Sequence, residues 1–134
     1  METPSFRILV VDDYLPWRFS VSSTLQQDQN LKIVDVANDG LEGIQKAIEL
    51  KPDLVLLGVA LRKLNGLEAA KQIRKAVPGV KLLFATQIID GDMMAEALRD
   101  GAHGFISKMD AQHELLAAIW AIRRGEKFIS SGMK

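Results

Sequence analysis

Leu54-Val55-Leu56-Leu57 is a continuous apolar run that ends at Gly58 and follows the helix-breaking sequence Lys51-Pro52-Asp53. A short run in which every side chain is apolar is typical of a β-strand covered on both faces. Ile8-Leu9-Val10-Val11 has the same character near the start of the chain. Further candidate strands are Leu31 to Ala37, Val80 to Ala85 and Phe105-Ile106.

Segments with helical periodicity separate these strands. Pro16 suits the first turn of the first helix, and Asp39 can cap the second. The apolar positions of the five helices are Trp17, Val21 and Leu25; Leu41, Ile44 and Ile48; Leu67, Ala70 and Ile73; Met94, Ala97 and Leu98; and Leu115, Leu116, Ile119 and Ile122. Strands that alternate with helices predict an α/β protein with a doubly wound parallel sheet.

Length and composition agree with a single domain over residues 1–134. Hydrophobic residues make up 48% of the chain, and cysteine does not occur. Lys plus Arg and Asp plus Glu number 17 each, so no overall charge attracts the chain to nucleic acid or membranes. The N-terminus lacks the pattern of a signal peptide, and no apolar run is long enough to span a bilayer. We therefore expect a cytoplasmic protein without membrane partners.

Polar or unusual residues follow the predicted strands at their carboxyl ends. They are Asp12 and Asp13 after the first strand, Gly58 after the third, Thr86 after the fourth and Lys108 after the fifth. Singly, each has a plain explanation as turn, cap or surface chemistry. Together they predict one site, because ligands of open α/β sheets bind beyond the carboxyl ends of the strands.

Several segments carry a resemblance to a known family. They are Val10-Val11-Asp12-Asp13, Pro52 to Leu57, Leu64-Asn65-Gly66-Leu67-Glu68, Gly104-Phe105-Ile106-Ser107-Lys108 and the tail Ala121 to Ser130. From about Arg7 to Ser130, the chain is similar to receiver domains of bacterial two-component response regulators of the LuxR/NarL type. The resemblance implies a flavodoxin-like, five-stranded parallel sheet with strand order 2-1-3-4-5. It also implies a regulatory protein of phosphorelay signal transduction, not an enzyme.

The tail gives a further expectation about domain organisation. It is similar to receivers that precede a LuxR-type helix-turn-helix, so residues 125–134 are expected to begin a linker to a C-terminal domain. The basic residues of the tail are only Arg123, Arg124 and Lys127, and no recognition helix follows from the sequence, so this chain is expected to reach DNA only through such a domain. Protein partners implied by the resemblance are a sensor kinase or a second copy of the chain.

In the family, an Mg²⁺ ion is held beside the residue that accepts the phosphoryl group. The resemblance assigns the metal to Asp12, Asp13 and the backbone carbonyl of Ala60. It assigns the phosphoacceptor position to Gly58, where an aspartate is expected. Glycine can neither form an acyl phosphate nor bind a metal, so we predict that the usual phosphorylation is lost and that Mg²⁺ binding is weakened.

The remaining roles concern the phosphoryl group and its response. The resemblance implies that Thr86 and Lys108 contact phosphoryl oxygens, and that Phe105 occupies the aromatic switch position. Without the usual aspartate, Lys108 is expected to turn to Asp12 or Asp13. The chain also carries Arg62 where receivers usually have proline. We therefore predict an atypical receiver that acts through protein contacts or another ligand.

Two alternatives remain open from the sequence. A doubly wound sheet can hold a flavin or another cofactor, although no glycine-rich phosphate-binding turn follows Val11. The chain could also be an ordinary phosphoreceiver in which an engineered change placed glycine at residue 58.

Overall fold

A computed structural model describes residues 5–87 and 90–130. The elements in chain order are β1 Phe6–Val11, α1 Leu15–Leu25, β2 Leu31–Ala37, α2 Gly40–Leu50, β3 Leu54–Gly58, α3 Gly66–Ala76, β4 Lys81–Thr86, α4 Gly91–Arg99, β5 Gly104–Ser107, α5 Ala111–Arg123 and β6 Phe128–Ile129. All the strands pair in parallel, in the order β2-β1-β3-β4-β5-β6. The predicted α/β class and the order 2-1-3-4-5 are confirmed.

The strand β6 is an addition to the five predicted strands. Its two residues pair with the first half of β5, Phe128 with Gly104 and Ile129 with Phe105. Gly125 has a φ of +92°, a conformation that glycine adopts at little cost, and it follows the end of α5. Two residues are too short a run to show strand periodicity, so this edge strand falls where the sequence predicts a linker.

The two faces of the sheet carry separate apolar layers. Ile8 and Val10 of β1 face α1 and α5, whereas Leu9 and Val11 face α2, α3 and α4. Both kinds of side chain are almost fully buried, as the continuous apolar runs predict. The helices therefore cover both faces, and the edge formed by the carboxyl ends of the strands is left for loops.

The N-termini of three helices, α2, α3 and α4, are capped by a side chain. Asp39 accepts a hydrogen bond from the Glu42 backbone N–H at 2.8 Å, and Asn65 accepts one from Glu68 at 3.0 Å. Asp90 caps α4 in the same way. Such caps satisfy N–H groups that the helix itself leaves without partners. They fix the loops that surround the carboxyl edge of the sheet.

Of the three apolar positions expected to face the sheet from α2, only Ile44 packs against the core. Leu41 and Ile48 are 53% and 48% exposed, whereas Gly43 and Ala47 are buried. A Cβ at Gly43 would lie 2.9 Å from Val11 Cγ1, so the helix backbone approaches β1 closely. This approach leaves Ile44 partly buried and turns Leu41 and Ile48 outward. In the described parts of the chain, no helix has the length and apolar character needed to cross a membrane.

Candidate functional site

The carboxyl ends of β1, β3, β4 and β5 meet at a cavity of about 330 Å³. Parallel register aligns these ends, since Val11 pairs with Leu57, Gly58 with Ala85 and Thr86 with Ser107. The cavity is lined by Asp12, Asp13, Tyr14, Gly58, Val59, Ala60, Leu61, Ala85, Thr86, Gln87 and Lys108. The structure thus brings together the residues predicted for the metal and phosphoryl contacts.

Lys108 and Asp12 form an ion pair across the floor of this cavity. The Lys108 Nζ lies 2.8 Å from Asp12 Oδ2, and the two side chains are only 14% and 4% exposed. The other carboxylate oxygen of Asp12 accepts the backbone N–H of Tyr14 at 3.0 Å. The expected contact of Lys108 with one of the two aspartates is present, and its partner is Asp12. Both oxygens of this carboxylate are therefore engaged.

Gly58 leaves the space that this carboxylate uses. A Cβ at residue 58 would lie 2.8 Å from Asp12 Oδ2 and 3.4 Å from Leu61 Cδ2. The first distance is too short for a carbon atom beside an oxygen, so a larger residue at this position would displace Asp12. The Gly66 N–H donates to the Val59 carbonyl at 2.7 Å and brings the start of α3 close to the end of β3. Gly58 and the Asp12–Lys108 pair thus fit together as one arrangement.

Asp13 is paired with the arginine that stands in the loop after β3. Arg62 Nε lies 2.9 Å from Asp13 Oδ2, and the two side chains are 74% and 31% exposed. The sequence shows Arg62 as a departure from the family pattern but does not reveal its partner. Charge is the feature of the sequence that could have suggested this pair, because a cation in the loop after β3 lies near the acidic end of β1. Arg62 therefore neutralises the second aspartate of the site.

The same loop is tied to the start of α2. Lys63 Nζ lies 3.5 Å from Asp39 Oδ2, and the Arg62 carbonyl accepts the Gly40 N–H at 3.3 Å. The pKa of Asp39 is lowered, first by the hydrogen bond from the Glu42 N–H and to a smaller extent by Lys63. The loop that follows β3 is therefore held on two sides by polar contacts.

The donor set does not fit an Mg²⁺ ion. This hard cation takes oxygen ligands, usually carboxylates with several waters. Here the carboxylates of Asp12 and Asp13 each hold a protein cation, and residue 58 supplies no oxygen from a side chain. Within residues 5–87 and 90–130, no three or more His, Asp or Glu side chains are grouped so that they could hold a metal. Ala60 lines the same cavity as these two aspartates, whose carboxylates are already paired.

Thr86 is the last residue of β4, and Phe105 is the second residue of the neighbouring strand β5. Thr86 is 8% exposed and lines the cavity. Phe105 is 1% exposed, points away from the cavity into the layer under α3 and α4, and stacks on Phe84 with ring centroids 5.5 Å apart. The roles assigned to these two residues in phosphoryl sensing remain predictions.

Trp17 is a contributor to the site that sequence reasoning treats as packing. The Lys108 Nζ lies 5.3 Å from the centroid of its ring, within the range of a cation–π contact. The indole is 6% exposed. Trp17 lies near the start of α1, soon after the acidic pair. This position in the sequence could have indicated that the side chain belongs to the site. Lys108 is thus held between a carboxylate and an aromatic face.

Comparisons with known proteins agree with this geometry. Residues 8–120 match the response regulator receiver domain family, and the chain belongs to this family. It is 30% identical over 125 residues to the transcriptional regulatory protein LiaR of Bacillus subtilis, a match that covers 93% of this chain and 59% of LiaR. It is 34% identical over 122 residues to the response regulator protein VraR of Staphylococcus aureus, a match that covers 91% of this chain and 58% of VraR.

A solved structure supports the LuxR-type affiliation and the fold. The two-component response regulator of the LuxR family from Aurantimonas sp. SI85-9A1 superposes with a TM-score of 0.91 at 27% identity, covering 96% of this chain and 92% of that one. The flavodoxin-like receiver fold is therefore confirmed. The chain spans less than two thirds of the length of the curated relatives above, 59% of LiaR and 58% of VraR.

Proposed function

We propose that this chain is a receiver domain that operates without an aspartyl phosphate. In phosphoryl transfer to a receiver, a carboxylate oxygen attacks phosphorus in line with the leaving group. Residue 58 has no such oxygen. The observation that carries the proposal is the Asp12 carboxylate, which lies beside Gly58 and is bound by Lys108 at 2.8 Å.

Neighbouring carboxylates do not offer a replacement nucleophile. Asp12 has both oxygens in hydrogen bonds and a side chain that is 4% exposed. Asp13 is bound by Arg62. Asp53 lies at the opposite end of β3, where it accepts the Arg7 backbone N–H at 2.7 Å. Asp12 and Asp13 are therefore each bound to a protein cation, and Asp53 lies far from the pocket.

The charge balance of the pocket supports the same proposal. Asp12 pairs with Lys108, and Asp13 pairs with Arg62, so the two aspartates are each matched by one protein cation. An incoming Mg²⁺ would have to displace these cations and would find no third carboxylate. The pocket thus resembles a receiver site that is already neutralised, and the loops around it are held in one arrangement.

We further place the chain, a single domain over residues 1–134, in cytoplasmic transcription control. The relatives LiaR and LnrK of Bacillus subtilis are described as transcriptional regulatory proteins. On this proposal the domain acts through protein contacts with a second copy or a sensor kinase, and DNA is bound by a C-terminal domain. It catalyses no reaction of its own. Family membership favours this regulatory function over the flavin-binding alternative.

The test compares the natural chain with Gly58→Asp and Gly58→Ala. Each protein is incubated with acetyl phosphate and Mg²⁺, or with beryllofluoride and Mg²⁺, and examined by intact mass and by ¹⁵N–¹H NMR. We expect no modification and no spectral change for the natural chain and the alanine variant. Stoichiometric phosphorylation of the natural chain at an aspartate of the pocket would refute the proposal.

A further inference from the structure

A second cavity of about 490 Å³ adjoins the first one. It lies between the start of α1 and the turn after β5, and it is lined by Tyr14, Pro16, Trp17, Ser20, Gln87, Lys108 and Met109. Tyr14, Gln87 and Lys108 line both cavities, so the two spaces meet at these residues. This volume falls in the range of pockets that hold small molecules.

The walls of this groove are mainly apolar, and parts of them face solvent. Tyr14 is 50% exposed and Met109 is 84% exposed, whereas the Trp17 indole is buried beneath Lys108. Exposed aromatic and methionine side chains beside a cavity are typical of binding surfaces, since methionine adapts to varied shapes and aromatic rings stack on flat groups. The groove therefore suits a flat, apolar body.

The inner end of the groove is polar and electrically balanced. Lys108 carries three N–H donors, one of which is used by Asp12, and Gln87 carries an amide. The nearby carboxylates are already paired with Lys108 and Arg62. A charged ligand would leave a net charge in this partly enclosed space, which is costly. A carbonyl oxygen, in contrast, can accept a free N–H of Lys108 without breaking either ion pair.

We infer that the groove binds a small, flat, uncharged molecule that carries a carbonyl group, with its ring system between Tyr14 and Met109 and its oxygen at Lys108. The inference rests on the proposed function, because a pocket without phosphoryl chemistry is open to another signal. Such a ligand would contact α1 and the turn after β5 at once. It regulates the domain to the extent that it binds one arrangement of these segments more tightly than another.

The test uses 2-naphthamide as the probe, with 2-naphthoate as the charged analogue of the same shape. Binding to the full chain is followed by ¹⁵N–¹H NMR, in which the two tryptophan indole N–H groups give separate reporters. We expect saturable shifts for Trp17 and for the amides of Tyr14 and Met109. Trp120, which donates to Asp28 at 2.6 Å elsewhere in the fold, should not respond.

Variants on the surface give matched controls that leave the core intact. Tyr14→Ala and Met109→Ala are expected to weaken naphthamide binding about tenfold each, because each removes apolar contact area. Phe19→Ala removes an aromatic ring from the same helix that is 71% exposed and does not line the groove, so it should leave binding unchanged.

The outcomes separate this inference from the proposed function. Absence of saturable shifts, equal loss of binding in Phe19→Ala, or tighter binding of naphthoate than of naphthamide would each overturn the inference about the groove. None of these results touches the phosphorylation assay. Conversely, phosphorylation of a chain that binds naphthamide as expected would overturn the proposed function and leave the groove assigned.

Discussion

The Asp12 carboxylate fills the space beside Gly58: Asp12 Oδ2 lies 2.8 Å from the point where a Cβ at residue 58 would be. The same oxygen receives the Lys108 ammonium at 2.8 Å. A side chain at residue 58 therefore requires the Asp12 carboxylate to shift from its present position. The Asp12–Lys108 ion pair in its present geometry therefore depends on glycine at residue 58.

Gly58→Asp should destabilise the fold in the absence of divalent cations. The new carboxylate would crowd Asp12 and compete with it for Lys108, which leaves one buried negative charge without a partner. We expect the free energy of unfolding to fall by about 2 kcal/mol or more. Urea denaturation measures this loss. Addition of about 10 mM Mg²⁺, enough to occupy a weak carboxylate site, should restore part of the lost stability.

The natural chain is the control for this experiment. Since its donor set does not fit the metal, its urea midpoint should be the same with and without Mg²⁺. A midpoint that rises with Mg²⁺ in the natural chain would show that Asp12 and Asp13 leave their cations for the metal.

Lys108→Met should be among the more damaging substitutions in this site. It removes the cation that matches Asp12, whose side chain is 4% exposed. Breaking a buried pair by removing one partner costs about 3–5 kcal/mol, whereas replacing both partners costs much less. Addition of Asp12→Asn to Lys108→Met should therefore recover most of the lost stability in denaturant unfolding.

The exposed pair in the same site offers a matched comparison. Arg62 is 74% exposed in its contact with Asp13, so Arg62→Met is expected to cost about 1 kcal/mol or less. Equal losses for Lys108→Met and Arg62→Met would contradict the view that the inner pair is the one that holds the pocket together.

His103 should make the stability of the domain depend on pH. Its Nδ1 accepts the Leu82 backbone N–H at 3.1 Å, so the ring is neutral in this arrangement. Burial, followed by Lys81, Arg74 and Lys127, lowers the pKa of His103 from its ordinary value of 6.5. The unfolded chain then binds a proton more readily than the folded chain as the pH falls below 6.5.

Stability contributed by His103 is accordingly complete above that pH and is lost as the pH falls toward the lowered folded pKa. His103→Asn, whose amide oxygen can accept the same N–H, should remove this dependence, whereas His113→Gln at an exposed position should not. Urea midpoints measured between pH 5 and 8 (about the range in which histidine titrates) check the difference. Parallel profiles for the natural chain and His103→Asn would exclude the effect.

Ser130→Ala tests the edge strand that the sequence did not predict. The Ser130 hydroxyl accepts the buried Ser107 N–H at 2.9 Å, and Ser130 is fully buried. Loss of this acceptor leaves an N–H without a partner and is expected to cost about 1–3 kcal/mol. Ser23→Ala, at an exposed position of α1, should change stability by about 0.5 kcal/mol or less, in thermal or urea unfolding.

Sequence patterns predict the parts of this protein that depend on local composition. Continuous apolar runs locate β1 and β3, and residues such as Asp12, Thr86 and Lys108 then lie at one edge because parallel strands end together. Contacts between distant segments could not be read in this way. The pairing of Arg62 with Asp13 depends on how a loop folds back, and the stacking of Lys108 on Trp17 depends on the angle at which α1 leaves β1.

Backbone proximity explains the remaining differences. In α2, Gly43 lets the helix approach Val11 closely. Hydrophobic periodicity favours Leu41, Ile44 and Ile48, of which only Ile44 packs against the core. The strand β6 is too short to have a pattern and is stabilised by pairing with β5 and by Ser130. Both features arise from close packing, which composition does not encode.

Ser130 has a consequence for whatever polypeptide follows it. Its hydroxyl accepts the N–H of Ser107 and its own N–H donates to the carbonyl of Phe105, so the departing backbone is anchored beside the residue that precedes Lys108. Any shift of Lys108 that moves the end of β5 would reach this anchor through two hydrogen bonds. A change at Lys108 in the pocket could then be passed to the backbone at Ser130 without the rotation of a helix.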